Sequence, residues 1–404
     1  MRNIKGYEVL EIMRNTPFTV SHLILTEDCN LRCKYCYENA NRCKNNYMSF
    51  DTAKKSADFL FDNALKYGAK ELTWKFFGGE PLLNLDVMIK IFRYAVDKAN
   101  QYHIKLSFIL ITNGTMYNKQ FEEFILEYCK AGNVIVFSID GIPEVQDKNR
   151  ITANGKPTSG IVVENILKLK TLFEKNQIES GSINTHSVVT KDNISKMFLS
   201  YKYFQHLGID STRFDLSYDE AWNENDISIY IEQLSLIADS VYEECIALGS
   251  LTPYEKAFVI NGLKPVCSSE ITCDAARSLC TIIPNGDIYP CQRAYFYNPG
   301  LKLGNVFDGI IDNNIRKLFF DACRSDMHVD NINCGKCDNT DCRICILLNY
   351  GKRNDVLKCS RVSCAIYKAK WDFIIETKKR FYKLFNKHNY NKCNEMTFFK
   401  AANK

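Results

Sequence analysis

Residues 20–37 decide the fold, and they read VSHLILTEDCNLRCKYCY. The apolar run at 20–25 predicts a short β-strand. Cys29, Cys33 and Cys36 follow it in the spacing C-x3-C-x2-C. Soft thiolates at such a spacing suit an iron–sulfur cluster or zinc. Three thiolates on one loop would leave one iron of a four-iron cluster open for catalysis, whereas zinc would need a distant fourth ligand. Spacing alone leaves both open.

Strand and helix patterns alternate along the chain after this loop. Predicted strands lie at 20–25, 72–77, 105–111, 134–139, 182–189 and 211–217. Predicted helices lie at 50–66, 84–100, 119–130, 160–175, 193–206 and 224–248. Strict alternation favours parallel strands with the helices outside. The sequence therefore predicts an α/β fold, a partial (β/α)6 TIM-type barrel.

Small and polar residues follow three further predicted strands. They are Gly-Gly-Glu-Pro at 78–81, Thr-Asn-Gly at 112–114 and Ser-Ile-Asp-Gly at 138–141. In such barrels the chemistry lies at the carboxyl ends of the strands. Glycine lets the backbone approach a ligand, and Glu80 can accept hydrogen bonds from an ammonium group. Together with the cysteine loop, these strand ends predict one pocket.

A second module is predicted after residue 250. Residues 265–365 hold eleven of the 18 cysteines and show little periodicity, so we expect metal to order this region. Eight of these cysteines could complete two four-iron clusters or one or two zinc sites, and spacing alone does not decide. They are Cys267, Cys273, Cys291, Cys334, Cys337, Cys342, Cys345 and Cys364, with Cys359 as a rival to Cys364. A helix is predicted at 365–387.

The composition excludes several classes of protein. The 404 residues include 52 basic and 47 acidic side chains, a net charge of +5. Nucleic acid is normally bound by a concentrated basic face, which so even a balance does not indicate. We find no secretory signal and no apolar window long enough to span a membrane. We therefore expect a cytoplasmic protein without nucleic-acid or membrane partners, in which clustered cysteines favour metal over disulfides.

These motifs resemble the radical S-adenosylmethionine superfamily over roughly residues 18–218. Its signature places an aromatic residue before the last cysteine, here Tyr35, and a Gly-Gly-Glu motif on the second strand, here Gly78, Gly79 and Glu80. The resemblance implies that S-adenosylmethionine chelates the open iron of a 4Fe-4S cluster. One-electron cleavage would then give a 5′-deoxyadenosyl radical that removes hydrogen from a substrate.

The resemblance also implies contacts to the cofactor. Gly79 and Glu80 would help hold the methionine amino group. The remaining contacts would come from Asn113, Ser138, Asp140 and Arg150. Relatives often read His-Asp-x-x-Arg near 146–150, whereas Gln146 stands here, which puts any role of that position in doubt.

The later cysteines resemble a SPASM domain, which carries two auxiliary 4Fe-4S clusters in enzymes that modify peptides and proteins. Residues 284–291, PNGDIYPC, look like its G-x4-C core, although two later gaps are each one residue shorter than usual. The resemblance assigns one cluster to Cys267, Cys273, Cys291 and Cys345. It assigns the other to Cys334, Cys337, Cys342 and Cys364, the last because Cys364 leads into the closing helix. Three clusters are thus expected.

The combination implies a radical enzyme that modifies a ribosomally made peptide, forming a thioether or a carbon–carbon crosslink. The alternative is an anaerobic sulfatase-maturating enzyme that oxidises Cys or Ser to formylglycine. In those enzymes an Asp base follows the cysteine of the G-x4-C turn, but here Gln292 stands there. A glutamine amide is no useful base near pH 7, so we place that alternative second. A cysteine-rich electron-transfer protein is the alternative from another class.

The expected partners are a peptide or protein substrate and an electron donor of flavodoxin or ferredoxin type. About 20 residues precede the first strand, too few for a peptide-recognition domain, so a separate leader-recognition protein is a further possibility. The expected organisation is an N-terminal extension at 1–18, the partial barrel at 19–250, the SPASM domain at 251–366, and a C-terminal helix and tail at 367–404.

Overall fold

The computed structural model describes residues 16–38, 45–129, 132–178, 183–209, 211–217, 220–259, 273–309, 311–330, 332–339, 342, 344–353 and 355–384. Cys267 and the end of the last predicted helix, 385–387, lie outside these residues. Strands and helices alternate up to residue 248 as the sequence predicts.

The elements are numbered in chain order. The strands are β1 Val20–Thr26, β2 Glu71–Gly78, β3 Lys105–Thr112, β4 Val134–Ser138, β5 Ile183–Val189, β6 Thr212–Leu216, β7 Leu279–Ile282, β8 Asp287–Tyr289, β9 Gly304–Asn305, β10 His328–Val329 and β11 Ile332–Asn333. The helices are α1 Phe50–Tyr67, α2 Leu85–Tyr102, α3 Lys119–Tyr128, α4 Pro143–Asn149, α5 Ser159–Lys175, α6 Met197–His206, α7 Glu224–Leu248, α8 Gln292–Tyr297, α9 Asn313–Asp321, α10 Ile346–Arg353 and α11 Arg361–Leu384. Shorter helical turns lie at Pro81–Asn84, Ile194–Lys196, Thr252–Tyr254, Glu255–Val259, Pro299–Leu301, Arg324–Asp326 and Cys334–Lys336.

Nine strands of the described residues form one sheet, in the order β6-β5-β4-β3-β2-β1-β7-β8-β9. β1 to β6 are all parallel, each paired with its neighbour in the sequence. The carboxyl ends of these strands therefore lie at one edge of the sheet. This arrangement confirms the predicted α/β fold with a partial barrel.

The sheet continues beyond the six predicted strands. β7 pairs in parallel with β1, with Val20 opposite Leu279 and His22 opposite Thr281. β8 and β9 then add antiparallel strands. Strands from the region predicted as a separate module thus hydrogen-bond to the first strand of the barrel. The domain boundary at 250/251 stays a prediction.

Aromatic side chains fill the layer between the sheet and the first helices. Phe76, Phe92, Phe108 and Phe124 are buried and contact one another, with ring centroids 5.1–6.2 Å apart. Burial of each such ring stabilises the fold by about 1.5–3 kcal/mol. This layer holds β2 and β3 firmly, and it is their carboxyl ends that carry residues of the predicted pocket.

The last helix, α11, packs along α7. Phe381 is fully buried there and stacks on Tyr254 at 4.6 Å, with Tyr242 at 5.3 Å. This helix begins at Arg361, a few residues before the predicted start. No helix in the described parts of the chain is long and apolar enough to cross a membrane.

Candidate active site

The cysteine loop follows β1 and is fixed by the segment after α4. The amide of Arg32 donates to the carbonyl of Ile151 at 2.7 Å, and the amide of Lys34 donates to Asn149 at 3.0 Å. Leu31 and Thr152 form an isolated antiparallel bridge. The loop is therefore held in place by backbone hydrogen bonds and not by its cysteines alone.

The three cysteines of this loop are half-buried, and they lie close enough to influence one another's charge. Burial raises the pKa of the Cys29 thiol to about 12, and Cys33 and Cys36 add to the rise. Burial likewise raises the pKa of Cys33 to about 11. Thiols grouped in this way become stable as thiolates when a metal neutralises them. The donor set therefore fits an iron–sulfur cluster.

Gly78 and Gly79 are required because the backbone of β2 runs against the start of the cysteine loop. A Cβ on Gly78 would lie 2.3 Å from the carbonyl oxygen of Thr26, and one on Gly79 would lie 2.1 Å from that of Asp28. Gly78 also has a φ of +128°, which disfavours any side chain. The amides of Gly79 and Glu80 donate to Thr26 and Asp28 at 3.0 and 2.9 Å. These contacts join the two predicted strand ends.

The Glu80 carboxylate is fully buried and faces the third strand end. It accepts hydrogen bonds from the Thr112 hydroxyl at 2.9 Å, the Asn113 amide at 2.7 Å and the Leu82 amide at 3.0 Å. Burial raises its pKa to about 7, although these three donors oppose the rise. The structure thus places this side chain between two loops of the pocket. A contact between Glu80 and the methionine amino group stays a prediction.

Asn113 connects the third strand end to the cysteine loop. Its Nδ2 donates to Oδ1 of Asn30 at 2.8 Å and lies 3.8 Å from Sγ of Cys29. Asn30 in turn donates to the Thr115 hydroxyl at 2.8 Å. Sequence reasoning missed Asn30. Its position between Cys29 and Cys33 is the signal that could have identified it.

The fourth strand end is joined to the loop through an ion pair. Arg150 Nε lies 3.0 Å from Oδ1 of Asp140, and Tyr35 donates its hydroxyl to Oδ2 of Asp140 at 2.5 Å. The guanidinium also lies within hydrogen-bonding reach of the Cys33 sulfur. Ser138 is half-buried at the end of β4, opposite His186 of β5. The predicted contacts Tyr35, Asp140 and Arg150 are thus brought together, and they contact one another.

Gln146 holds the backbone of Asp140, one member of this ion pair. Its Oε1 accepts from the Asp140 amide at 2.9 Å, and its Nε2 donates to the Thr158 hydroxyl at 3.1 Å. The side chain is fully buried. The position that departs from the family pattern therefore fixes the backbone of Asp140.

Aromatic contacts connect the cysteine loop with α8. Tyr37 stacks on Tyr297 at 5.9 Å and meets Phe296 edge-on at 5.7 Å. Tyr295 donates a short hydrogen bond to Glu27. Gln292 begins this helix directly after Cys291. The helix that follows the G-x4-C turn therefore packs directly against the cysteine loop.

The cysteines of the second module form two groups. Burial raises the pKa of Cys291 to about 12, and the neighbouring Cys345 and Cys273 raise it further. These three belong to the first predicted set, whose fourth member, Cys267, lies outside the described residues.

The second group contains five sulfurs. Burial raises the pKa of Cys342 to about 12, with contributions from Cys359, Cys364 and Cys334. Cys364 lies near Cys337, whose charge adds to the effect of burial on the Cys364 pKa. The rival ligand Cys359 is therefore also part of this group. No three of the described His, Cys, Asp and Glu side chains form a group that could hold a single metal ion.

Comparisons with known proteins identify the family. A model of the radical SAM superfamily matches residues 23–196. Uncharacterized protein MJ0907 of Methanocaldococcus jannaschii is 37% identical over 297 residues, which cover 72% of this chain and 90% of the relative. A cysteine-type anaerobic sulfatase-maturating enzyme of Clostridium novyi is 24% identical over 326 residues, covering 74% of this chain and 80% of the enzyme.

A solved structure has the same fold. Native anSMEcpe with bound AdoMet and Cp18Cys peptide aligns with a TM-score of 0.67 at 22% identity, covering 91% of this chain and 99% of that one. The cysteine loop, the glycine-rich end of β2 and the parallel barrel agree with these matches. The chain therefore belongs to the radical S-adenosylmethionine superfamily.

Proposed function

We propose that this enzyme cleaves S-adenosylmethionine at a cluster held by Cys29, Cys33 and Cys36 and uses the resulting radical to modify a peptide. Members of the family use S-adenosylmethionine and a 4Fe-4S cluster. The observation that carries the proposal is the position of the three cysteines. Their loop starts at the carboxyl end of β1, where Asp28 lies against Gly79 and where Sγ of Cys29 lies 3.8 Å from Nδ2 of Asn113.

The bound cluster and cofactor would supply the electron transfer and the radical. The chain's own residues bind and position them. The three thiolates would hold the cluster, and the amino acid part of the cofactor would bind beside it. Gly79 supplies backbone close to that site, and Glu80 fixes the loops on either side of it. Asn113, Ser138, Asp140 and Arg150 complete the cofactor pocket, with Tyr35 beneath the Arg150 guanidinium.

We also propose two auxiliary 4Fe-4S clusters in a SPASM domain spanning 251–366. The first would use Cys267, Cys273, Cys291 and Cys345, and the second Cys334, Cys337, Cys342 and Cys364. For the last position we favour Cys364 over Cys359. Cys359 is 3% exposed, and its sulfur accepts from Nδ2 of Asn349 at 3.6 Å and lies 3.8 Å from the Leu357 carbonyl. These contacts give it a structural role without metal.

The proposed reaction is formation of a thioether or carbon–carbon crosslink in a ribosomally made peptide. Support comes from Gln292, which replaces the carboxylate base expected in sulfatase maturases. Sulfatase maturation is the second candidate, and the similarity to the enzyme of Clostridium novyi favours it. The electron-carrier alternative is dropped, because membership of this family makes the chain an enzyme.

The proposed partners follow from this chemistry. A flavodoxin or ferredoxin would supply the electron, and a separate protein could present the leader of the peptide. The barrel at 19–250 would hold the cofactor, flanked by the extension at 1–18 and the closing segment at 367–404.

The test uses reconstituted enzyme, S-adenosylmethionine and a reductant under anaerobic conditions. Substrates are short cysteine-containing peptides encoded beside the gene and, separately, a sulfatase-derived peptide. A crosslink appears in the mass spectrum as loss of two hydrogen atoms with a new link between residues. Formylglycine is an aldehyde and is trapped by a hydrazide probe. Modification of neither peptide, with S-adenosylmethionine cleaved, would contradict both candidate reactions.

A further inference from the structure

The interior of the barrel carries three polar side chains at one level. His22 of β1 is paired in register with Lys75 of β2 on one side and with Thr281 of β7 on the other. Residues at the same register of neighbouring parallel strands point to the same face. On β2 the adjacent Trp74 and Phe76 contact Phe61 of α1 and Phe92 of α2, so they face the helices. Lys75, His22 and Thr281 therefore face the interior.

Gln292 reaches the same place from α8. Its side chain approaches the His22 imidazole, which also lies against the Phe77 ring at 6.0 Å. The sequence brings Gln292 here because Cys291 ends the turn that follows β8. Four elements, β1, β2, β7 and α8, thus place polar groups around one point inside the barrel.

Several of these polar atoms lack protein partners. Gln292 lies beside the His22 ring, but neither ring nitrogen has a well-aligned hydrogen bond among the described residues, and the side chain is only 7% exposed. The same holds for the hydroxyl of Thr281, which is fully buried, and for Oε1 of Gln292. A buried polar group without a partner costs about 1–3 kcal/mol. Such groups on three elements indicate a ligand site rather than a packing accident.

Lys75 adds a positive charge to this site. It makes no ion pair within the described parts of the chain, and Asp274 acts on it only at longer range. The nearby cation Arg213 is already paired with Asp215 at 2.8 Å. A largely buried ammonium group without a close counter-ion is unfavourable, so an anion is the ligand that would satisfy it.

The donors present define the chemistry of that anion. An ammonium group offers three hydrogens, the Gln292 amide offers two from Nε2, and a hydroxyl and a neutral imidazole offer one each. A carboxylate has about four acceptor positions on two oxygens. We propose that His22, Lys75, Thr281 and Gln292 bind a carboxylate of the substrate, either an Asp or Glu side chain or the C-terminal carboxylate.

This inference rests on the proposed function, because the ligand is taken to be the peptide that the enzyme modifies. The site is separate from the cofactor pocket. His22 lies four residues before the end of β1, a depth of about 13 Å below the strand end at a rise of ~3.3 Å per residue. A peptide carboxylate bound there would fix which neighbouring residue faces the cofactor.

The test measures retention of defined peptides by reconstituted enzyme with S-adenosylmethionine bound. Four synthetic pools of nonapeptides are compared. One fixed position is either Glu or Gln, and for each of these the C terminus is either a free carboxylate or an amide. Bound peptide is quantified by mass spectrometry after anaerobic equilibrium dialysis. We expect at least one pool that carries a carboxylate to be retained about tenfold better than the pool with Gln and a C-terminal amide. About tenfold is the gain in affinity that one hydrogen bond to a charged group gives. The Glu amide pool reports a side-chain carboxylate, and the Gln acid pool reports the C terminus.

Lys75→Met should abolish this preference, and Thr281→Val, which keeps the shape of the side chain, should weaken it several-fold. Lys90→Met removes an exposed lysine on α2 and should leave the preference unchanged. Equal retention of all four pools, or a preference that survives Lys75→Met, would overturn the inference. S-adenosylmethionine cleavage without peptide is measured on the same samples, so a failure of the proposed function is recognised separately.

Discussion

Arg150 donates a hydrogen bond from Nε to Oδ1 of Asp140 at 3.0 Å, and both side chains are buried. Asp140 also accepts from the Tyr35 hydroxyl and from the amide of Val188 at 3.1 Å. The guanidinium lies over the Tyr35 ring, 5.3 Å from its centroid. One ion pair thus joins the carboxyl ends of β4 and β5 to the cysteine loop.

Loss of this ion pair should destabilise the fold strongly. Arg150→Met leaves the Asp140 charge buried without its partner, which costs about 3–5 kcal/mol. The free energy of unfolding is measured by anaerobic urea denaturation. Arg93→Met is the matched control, because its ion pair with Glu127 is exposed and contributes less than about 1 kcal/mol. Equal effects of the two substitutions would contradict the structural role of Arg150.

The close approach at Gly79 should make it intolerant of any side chain. Gly79→Ala would force Asp28 and the cysteine loop apart, since the new Cβ would overlap the Asp28 carbonyl. We expect loss of S-adenosylmethionine binding, measured by equilibrium dialysis of the reconstituted enzyme. Gly160→Ala is the control, because no atom lies within 4 Å of its Cβ position on α5. Normal binding by Gly79→Ala would show that this approach is not required.

His22 should make stability fall in acid. Burial lowers its pKa to about 3, with Lys75 adding to the effect, so the folded protein keeps the imidazole neutral. The unfolded chain takes up the proton below its ordinary pKa of about 6.5. The stabilisation is therefore complete above pH 6.5 and is lost as the pH falls towards 3, by about 2 kcal/mol between pH 6.5 and 5.

The measurement is the free energy of unfolding of wild type minus that of His22→Phe across this range. Phenylalanine keeps a ring beside Phe77 and cannot be protonated. The difference should decrease towards acid. A constant difference would mean that His22 takes up its proton as readily in the folded protein as in the unfolded chain.

The ligand of the last cluster can be decided by iron content. Cys364→Ala should reduce iron from about twelve to about eight per chain, the loss of one four-iron cluster. Cys359→Ala should keep its iron, because the Cys359 sulfur already interacts with Asn349. Iron is measured by colorimetric assay together with the electron paramagnetic resonance spectrum of the reduced protein. The reverse pattern would assign Cys359 as the ligand.

Much of the barrel could be predicted because its elements are local patterns. Trp74 and Phe76 alternate with Lys75 and Phe77, and that alternation shows a strand with two different faces. The pairing of β7 with β1 could not be predicted in this way. It depends on contacts between residues far apart in sequence, such as the buried approach of Ser21 to Cys280.

The site was predictable in its residue types but less so in its contacts. The strand ends that carry Glu80, Asn113 and Asp140 do converge on the cysteine loop. The sequence shows that a carboxylate is present at a strand end, but it does not show which hydrogen-bond donor that carboxylate contacts. Asp140 is paired with Arg150, and Glu80 accepts from Asn113, so both carboxylates hold loops together. The interior site around His22 was missed, because its members come from β1, β2, β7 and α8.

Formation of 5′-deoxyadenosine by the reduced, reconstituted enzyme tests the central claim most directly. Wild type and Cys129→Ala, which changes a buried cysteine outside the three predicted ligand sets, should both form it from S-adenosylmethionine under anaerobic conditions. The variant with Cys29, Cys33 and Cys36 all changed to Ala should form none while retaining about eight irons in its auxiliary clusters. Product from the triple variant, or none from wild type with its iron in place, would contradict the account.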